Sequence, residues 1–227
     1  MRKHIPNSIT ALNLFSGCIG IVMVLHQEFL FGFYCVLASG IFDFFDGLSA
    51  RALRVKSTIG KELDSLADVV SFGFLPGAVL FMMMGGFQAQ SVVPYLGFLV
   101  TVFSAFRLAK FNVDSRQTTD FIGVNTPMNT FVIIALPFIG QQYVFVEEIW
   151  VLLLITVISS CLLVSEIRLF SMKMENLSWK ENRYKYIFLG IAVIALIAGG
   201  FLALPIILLL YIAFSKVHFS QQKRRII

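Results

Sequence analysis

An all-α, polytopic membrane protein is the fold class that this sequence predicts, and three observations lead there. Of the 227 residues, 58% are apolar and only 14% charged, with a mean hydropathy of +0.84, which excludes a soluble globular enzyme of this size. The apolar residues fall into eight runs, most of them near the length of about 20 residues that one helical crossing of a hydrocarbon core requires. Lys and Arg, finally, occupy only alternate connections between those runs, the pattern of a chain oriented by basic cytoplasmic loops.

The runs follow in order. The first half supplies Ser8 to Leu25, Leu30 to Ala50, Leu63 to Met84 and Ser91 to Lys110. The second supplies Pro127 to Val144, Ile149 to Phe170, a short Tyr186 to Gly199, and Leu202 to Phe219, the last two joined by a tight Gly199-Gly200 turn. Helix one carries Asn7, Thr10 and Asn13 and lacks a small-residue cleavage site, so it is expected to remain attached. Basic residues cluster at Arg2 and Lys3, then Arg51, Arg54, Lys56 and Lys61, then Arg107, Lys110 and Arg116. The remainder are Arg168, Lys173, Lys180, Arg183 and Lys185, and finally Lys216, Lys223, Arg224 and Arg225, which accounts for all 18. The opposite connections hold only Glu28, Glu147 and Glu148. Eight crossings with both termini cytoplasmic satisfy this distribution, with six crossings as the fallback. Cys18, Cys35 and Cys161 are far apart in apolar runs and read as packing residues. His4, His26 and His218 lie at helix ends without a partner at metal-ligand spacing. The net charge of +5 is spread along the chain and does not form a nucleic-acid patch.

Ionisable residues inside membrane helices are rare, and Asp43, Asp46, Asp64 and Asp68 stand out. Asp43, Asp46, Gly47 and Ala50 fall at i, i+3, i+4 and i+7, one stripe of a helix, and Gly60, Asp64 and Asp68 repeat the pattern at i, i+4 and i+8. Two helices joined by a short basic loop can therefore face each other with two carboxylates apiece and small residues alongside. Helix capping or pairing with Arg51, Arg54, Lys56 and Lys61 is the plainer account of such charges. A buried Asp costs about 2.5 to 3.5 kcal/mol on insertion scales, so four unpaired would cost on the order of 10 to 14 kcal/mol, and a cation is expected to compensate. All-oxygen ligation suits Mg²⁺ or Mn²⁺, with Ca²⁺ also open, and the absence of a Cys or His cluster argues against zinc. A divalent metal beside arginines implies a phosphate-bearing substrate.

The run Asp43-x-x-Asp46-Gly47-x-x-Ala50-Arg51, eight residues, then Gly60-x-x-x-Asp64-x-x-x-Asp68 resembles the complete signature of the CDP-alcohol phosphatidyltransferases. The resemblance implies a six-helix core over residues 1–170, with 171–227 adding a cytoplasmic loop and two further helices. It also implies a homodimer in a cytoplasmic membrane, of bacterial or archaeal type, with its active site facing the cytoplasm. The implied reaction moves a phosphatidyl group from CDP-diacylglycerol to an alcohol with two divalent cations. Carried over by position, Asp43, Asp46 and Asp64 become metal ligands and Asp68 a second-metal ligand and general base. Asp46, Gly47, Ala50, Gly60 and Asn7 would line the nucleotide groove, and Arg51 would face the diphosphate. The physical support is that only Gly or Ala lets a flat nucleotide approach a helix backbone closely, although small residues in membranes more commonly serve helix packing.

Three further stretches resemble the integral-membrane phosphatidylserine synthases of that family: Pro6-Asn7-x-Ile9-Thr10-x-x-Asn13-Leu14, Ser71-Phe72-Gly73 and Arg107-Leu108-Ala109-Lys110-Phe111-Asn112. A fourth, Phe121-Ile122-Gly123, is followed by Val124-Asn125-Thr126-Pro127-Met128, which departs from the Leu-Pro and Pro-Ala steps of that subfamily. L-serine is the implied acceptor. Arg107, Lys110 and Asn112 are the candidates to bind it, because an amino acid needs a cation for its carboxylate. Orientation alone also accounts for basic residues at that position. A sister enzyme using glycerol 3-phosphate or inositol phosphate is the near alternative. A cation transporter is the distant one, and it would place its carboxylates near the midplane of two related repeats.

Overall fold

The computed structural model describes residues 4–55, 57–114, 120–171 and 179–224. Arg2, Lys3, Lys56, Arg116, Lys173 and Arg225 from the charge pattern lie outside these ranges. Helix α1 (His4–Leu25) and α2 (Phe29–Ala52) form an antiparallel pair, followed by a continuous rod built from α3 (Thr58–Val69), a π-helical turn (Val70–Phe74) and α4 (Leu75–Met83). A 3₁₀ segment (Val93–Phe98) leads into α5 (Leu99–Val113); α6 (Thr126–Gly140) and α7 (Ile149–Val164) follow, and α8 (Trp179–Gly199) and α9 (Ala203–Arg224) close the chain. Two short strands, β1 (Phe121–Ile122) and β2 (Arg168–Leu169), pair antiparallel across the entry to α6 and the exit from α7.

Four stretches meet the length and composition of a membrane crossing outright: His4–Leu25, Phe29–Ala52, Thr58–Met83 and Val93–Val113. The fifth, Asn182–Gln221, is a 40-residue apolar run that doubles back at Gly199-Gly200, where Gly200 takes φ +52°. Arg183 Nη2 donates to Gln221 Oε1 at 2.8 Å across the base of that hairpin. Helices α6 and α7, at 15 and 16 residues, are apolar but shorter.

Two predicted segments end early, for identifiable reasons. The fifth was expected to reach Val144, yet α6 stops at Gly140, where Gln141 and Gln142 break the apolar run and Val144–Glu147 forms its own 3₁₀ turn. The sixth was expected to reach Phe170. Helix α7 stops at Val164, Ser165 turns extended with ψ 154°, and Arg168 and Leu169 join the strand pair. Apolar content alone cannot tell a helical end from a buried strand.

The core lies between α1, α2, α4, α5, α6 and α7, with Val24, Val36, Phe72, Leu75, Leu80, Ile133 and Ile134 fully buried. Close approach rests on small residues, as in membrane bundles generally: a Cβ on Gly32 would stand 2.6 Å from Val24 Cγ2, and one on Gly17 would stand 2.9 Å from Ser71 Cα. A second cluster, Leu169 and Phe170 with Phe188, Ile207 and Tyr211, seats the C-terminal hairpin on the rest. Tyr211 Oη donates to Phe170 O at 2.6 Å, and Phe170 N donates to Ser215 Oγ at 3.3 Å.

Cross-links bring the basic helix ends together. Lys61 Nζ donates to Asn112 O at 2.9 Å, Lys110 pairs with Glu166, and β1 pairs with β2. Among the described residues every Lys and Arg therefore belongs to the same end of the bundle, and the opposite connections carry none.

Candidate active site

The site is assembled by three helices at that basic end. Helix α2 contributes Asp43 and Asp46, α3 contributes Asp64 and Asp68, and α1 lies behind both with a polar stripe in an otherwise apolar sequence. Thr10 Oγ1 donates to Asp46 Oδ2 at 2.6 Å, and Asn13 Nδ2 donates to Asp68 Oδ1 at 3.2 Å. Asn13 is itself pinned, since its carbonyl accepts from Ser39 Oγ and Ser71 Oγ, both at 3.1 Å. The polar face of α1 thus fixes the carboxylates of the other two helices.

Below Asp68 the helix changes pitch. Pro76 has no N–H to offer the carbonyl of Phe72, and its ring crowds that carbonyl. The chain answers with the π turn, in which Leu75 N–H reaches back to Val70 O. Phe72 O accepts instead from Thr130 Oγ1 at 2.8 Å, and Gly73 O accepts from Thr101 Oγ1 at 3.0 Å. Such turns recur beside functional sites. The Ser71-Phe72-Gly73 stretch is this turn.

Asp43, Asp64 and Asp68 each bring a carboxylate oxygen within 4.8 Å of the others. Like charges at that separation repel by about 3 kcal/mol per pair at an effective dielectric of 20. Among the described residues no ion pair reaches any of the four aspartates. Buried Asp64 Oδ1 and Asn13 Oδ1 also lack a hydrogen-bond partner. Hard oxygens gathered this closely fit a divalent ion, because oxygens coordinated at about 2.0 to 2.6 Å can stand up to about 5 Å apart across one ion. Asp46, 6% exposed, is the aspartate held by Thr10 and lies outside that trio.

The remaining predicted residues divide. A Cβ on Gly47 would meet nothing within 4 Å, whereas one on Gly60 would stand 3.0 Å from Asn7 Oδ1. Gly47 therefore borders open space, and Gly60 admits the Asn7 side chain. Ala50 is half-buried beside Gly47, and Arg51 is exposed in the last turn of α2. Arg107, only 7% exposed, lies within electrostatic reach of Asp68 and Tyr211, has its guanidinium 5.7 Å from the centre of the Phe111 ring, and leaves Nε unpartnered. Lys110 is occupied by Glu166 at the surface. Asn112 donates to Ser65 Oγ at 2.8 Å, fastening α5 to α3. Of the three serine-site candidates, Arg107 alone faces the carboxylates. Thr10, as a support of the site, was missed; its signal was the i, i+3 and i+6 spacing of Asn7, Thr10 and Asn13 in a membrane helix.

With this geometry in place, comparison with known proteins is decisive for the family. The model of the CDP-alcohol phosphatidyltransferases matches residues 3–162. The chain belongs to that family. Among similar CDP-alcohol phosphatidyltransferases are three proteins named CDP-diacylglycerol--serine O-phosphatidyltransferase. The one from Helicobacter pylori (strain J99) is 34% identical over 145 residues, which span 63% of this chain and 60% of that relative's length. The one from Saccharomyces cerevisiae is 43% identical over 122 residues, 50% of this chain and 43% of the yeast protein. The one from Mycobacterium leprae is 30% identical over 214 residues, 90% of this chain and 69% of that relative. This last likeness extends past residue 162 toward the C-terminal hairpin, beyond the part matched by the phosphatidyltransferase family model.

Proposed function

We propose that this CDP-alcohol phosphatidyltransferase makes phosphatidylserine, transferring the phosphatidyl group of CDP-diacylglycerol to the hydroxyl of L-serine and releasing CMP. The observation that carries the reading is a crowded oxygen site, Asp43, Asp64 and Asp68, next to a buried arginine with a free N–H. The names of the relatives point the same way.

Asp43, Asp46, Asp64 and Asp68 hold two Mg²⁺ or Mn²⁺ ions. Bound there, the metals supply Lewis-acid neutralisation of the diphosphate. Gly47, Ala50 and Gly60, with Asn7, accommodate the cytidine, and Arg51 faces the diphosphate. Arg107 takes the serine carboxylate through a charge-assisted pair. Asp68 accepts the serine hydroxyl proton as that oxygen bonds to the phosphatidyl phosphorus, and the bond from this phosphorus to the bridging oxygen breaks to free CMP. Residues 1–170 form the catalytic core and 171–227 the added hairpin. The basic end faces the cytoplasm, where serine is supplied, and two copies form a homodimer.

The test offers purified protein labelled CDP-diacylglycerol with L-serine, glycerol 3-phosphate or inositol phosphate, with and without chelator. Phosphatidylserine should form with serine alone and vanish on metal removal. Turnover of either phosphorylated alcohol, with serine inert, overturns the assignment. Arg107→Ala should raise KM for serine far more than KM for CDP-diacylglycerol.

A further inference from the structure

Beyond Asp68 lies a set of buried polar groups of which the scheme above uses only Arg107. Ser104, Thr126 and Asn129 are 0% exposed, and Arg107 is 7% exposed. Ser104 Oγ, Thr126 Oγ1, Arg107 Nε and both amide atoms of Asn129 have no hydrogen-bond partner. Buried polar groups are ordinarily paired, and each exception calls for an explanation. Asparagine is the most telling, because its two donors and its acceptor are all idle at once.

Their placement relates them to the catalytic aspartate. Ser104 lies over the π turn, its Cβ 3.0 Å from where a Cβ on Gly73 would be. Thr130 hydrogen-bonds the neighbouring Phe72 O from the α6 side. Ser104 and Thr130 thus flank adjacent residues of the turn, which follows Asp68 in the same rod. Towards the basic end, α5 continues to Arg107 one turn on, and α6 runs back through Asn129 to Thr126. Helices α5 and α6 both pack on the π turn but scarcely touch each other. The idle groups therefore stand on the two helices that pack against the turn following Asp68.

We propose that Asn129, supported by Ser104, is a specificity-determining residue for a zwitterionic α-amino acid acceptor. The proposal rests on the phosphatidylserine reading. Asn129 Oδ1 and Ser104 Oγ accept from the ammonium, while Asn129 Nδ2 and Arg107 share the carboxylate. An alcohol without the carboxylate leaves buried donors unpaired, and such a site rejects the analogue strongly.

Asn129→Leu keeps the branched shape and removes both idle amide atoms of that residue. In full-length protein in lipid-detergent micelles, it should raise KM for L-serine at least tenfold and leave KM for CDP-diacylglycerol within twofold. Preference for serine over ethanolamine should fall by a similar factor, while the thermal midpoint holds or rises. Ser104→Ala should weaken serine in the same direction by a smaller factor and supplies the reading if the first variant fails to fold. Unchanged serine kinetics in both variants, or equal rises in both KM values, overturn the proposal while the wild type's serine activity still stands. A wild type inert towards serine but active on another alcohol overturns the parent reading and this one with it.

Discussion

Replacing Gly47 by alanine asks whether the small residues of α2 line a substrate groove or serve helix packing, since the two roles give opposite signs in stability. A methyl group there meets no atom within 4 Å, and Gly47 sits inside the 24-residue helix Phe29–Ala52. Glycine in a helix interior costs about 0.5 to 1 kcal/mol relative to alanine. The variant should therefore gain about that much, a rise of roughly 1 to 4 °C in a chain of this size. A packing glycine would instead lose about 1 to 3 kcal/mol to overpacking. If cytidine rests against this backbone, the same methyl imposes a comparable steric cost on the bound lipid nucleotide, so KM for CDP-diacylglycerol should rise roughly 5- to 150-fold. The assay pairs thermal unfolding in detergent with steady-state rates at varied CDP-diacylglycerol and saturating serine. Gly190→Ala on α8, also with nothing within 4 Å, is the control and should stabilise without touching KM. A destabilised Gly47→Ala would refute the open-groove geometry. A stabilised variant with unchanged KM would refute the nucleotide assignment.

Two further outcomes are expected. Asp68→Asn retains an acceptor oxygen for Asn13 but cannot take a proton, so metal-dependent CDP-diacylglycerol binding should persist while turnover falls by about 10² to 10⁴; loss of binding along with turnover would make Asp68 chiefly a metal ligand, and near-normal turnover would eliminate both roles. Gly17→Ala forces a Cβ to 2.9 Å from Ser71 Cα, so it should cost about 1 to 3 kcal/mol by overpacking and slow turnover by displacing Asn13 from Asp68; full stability would show that the α1 contact with the π turn is looser than described.

Much of this was legible in the sequence. The spacing of Asp43, Asp46, Asp64 and Asp68 set two helical stripes, and the structure brings three of those carboxylates within 4.8 Å. The basic residues marked the helix ends that converge. What was not legible depends on tertiary partners. Lys110 reads as a free cation until Glu166, 56 residues later, is brought against it. Ile167, Leu169 and Phe170 extend an apolar run and look helical, yet the chain turns extended to meet Phe121 and Ile122. The spacing of Asn7, Thr10 and Asn13 marks a polar stripe on α1, but only the tertiary structure reveals that two other helices present carboxylates to it. Asn125, an ordinary loop residue by sequence, caps α6 by accepting from Met128 N at 2.9 Å.

The π turn between Asp68 and Leu75 acts on phase. One additional residue in a helical turn rotates everything beyond it by about 100° relative to an uninterrupted α-helix. Asp64 and Asp68 look towards α1 and α2, while Gly73 and Gly77, further along the same rod, meet Ser104, Thr101 and Phe98 around α5. Splitting the rod into two angular settings lets the chemical half and the packing half of one span be adjusted separately, with the hydroxyls of Thr130 and Thr101 holding the joint.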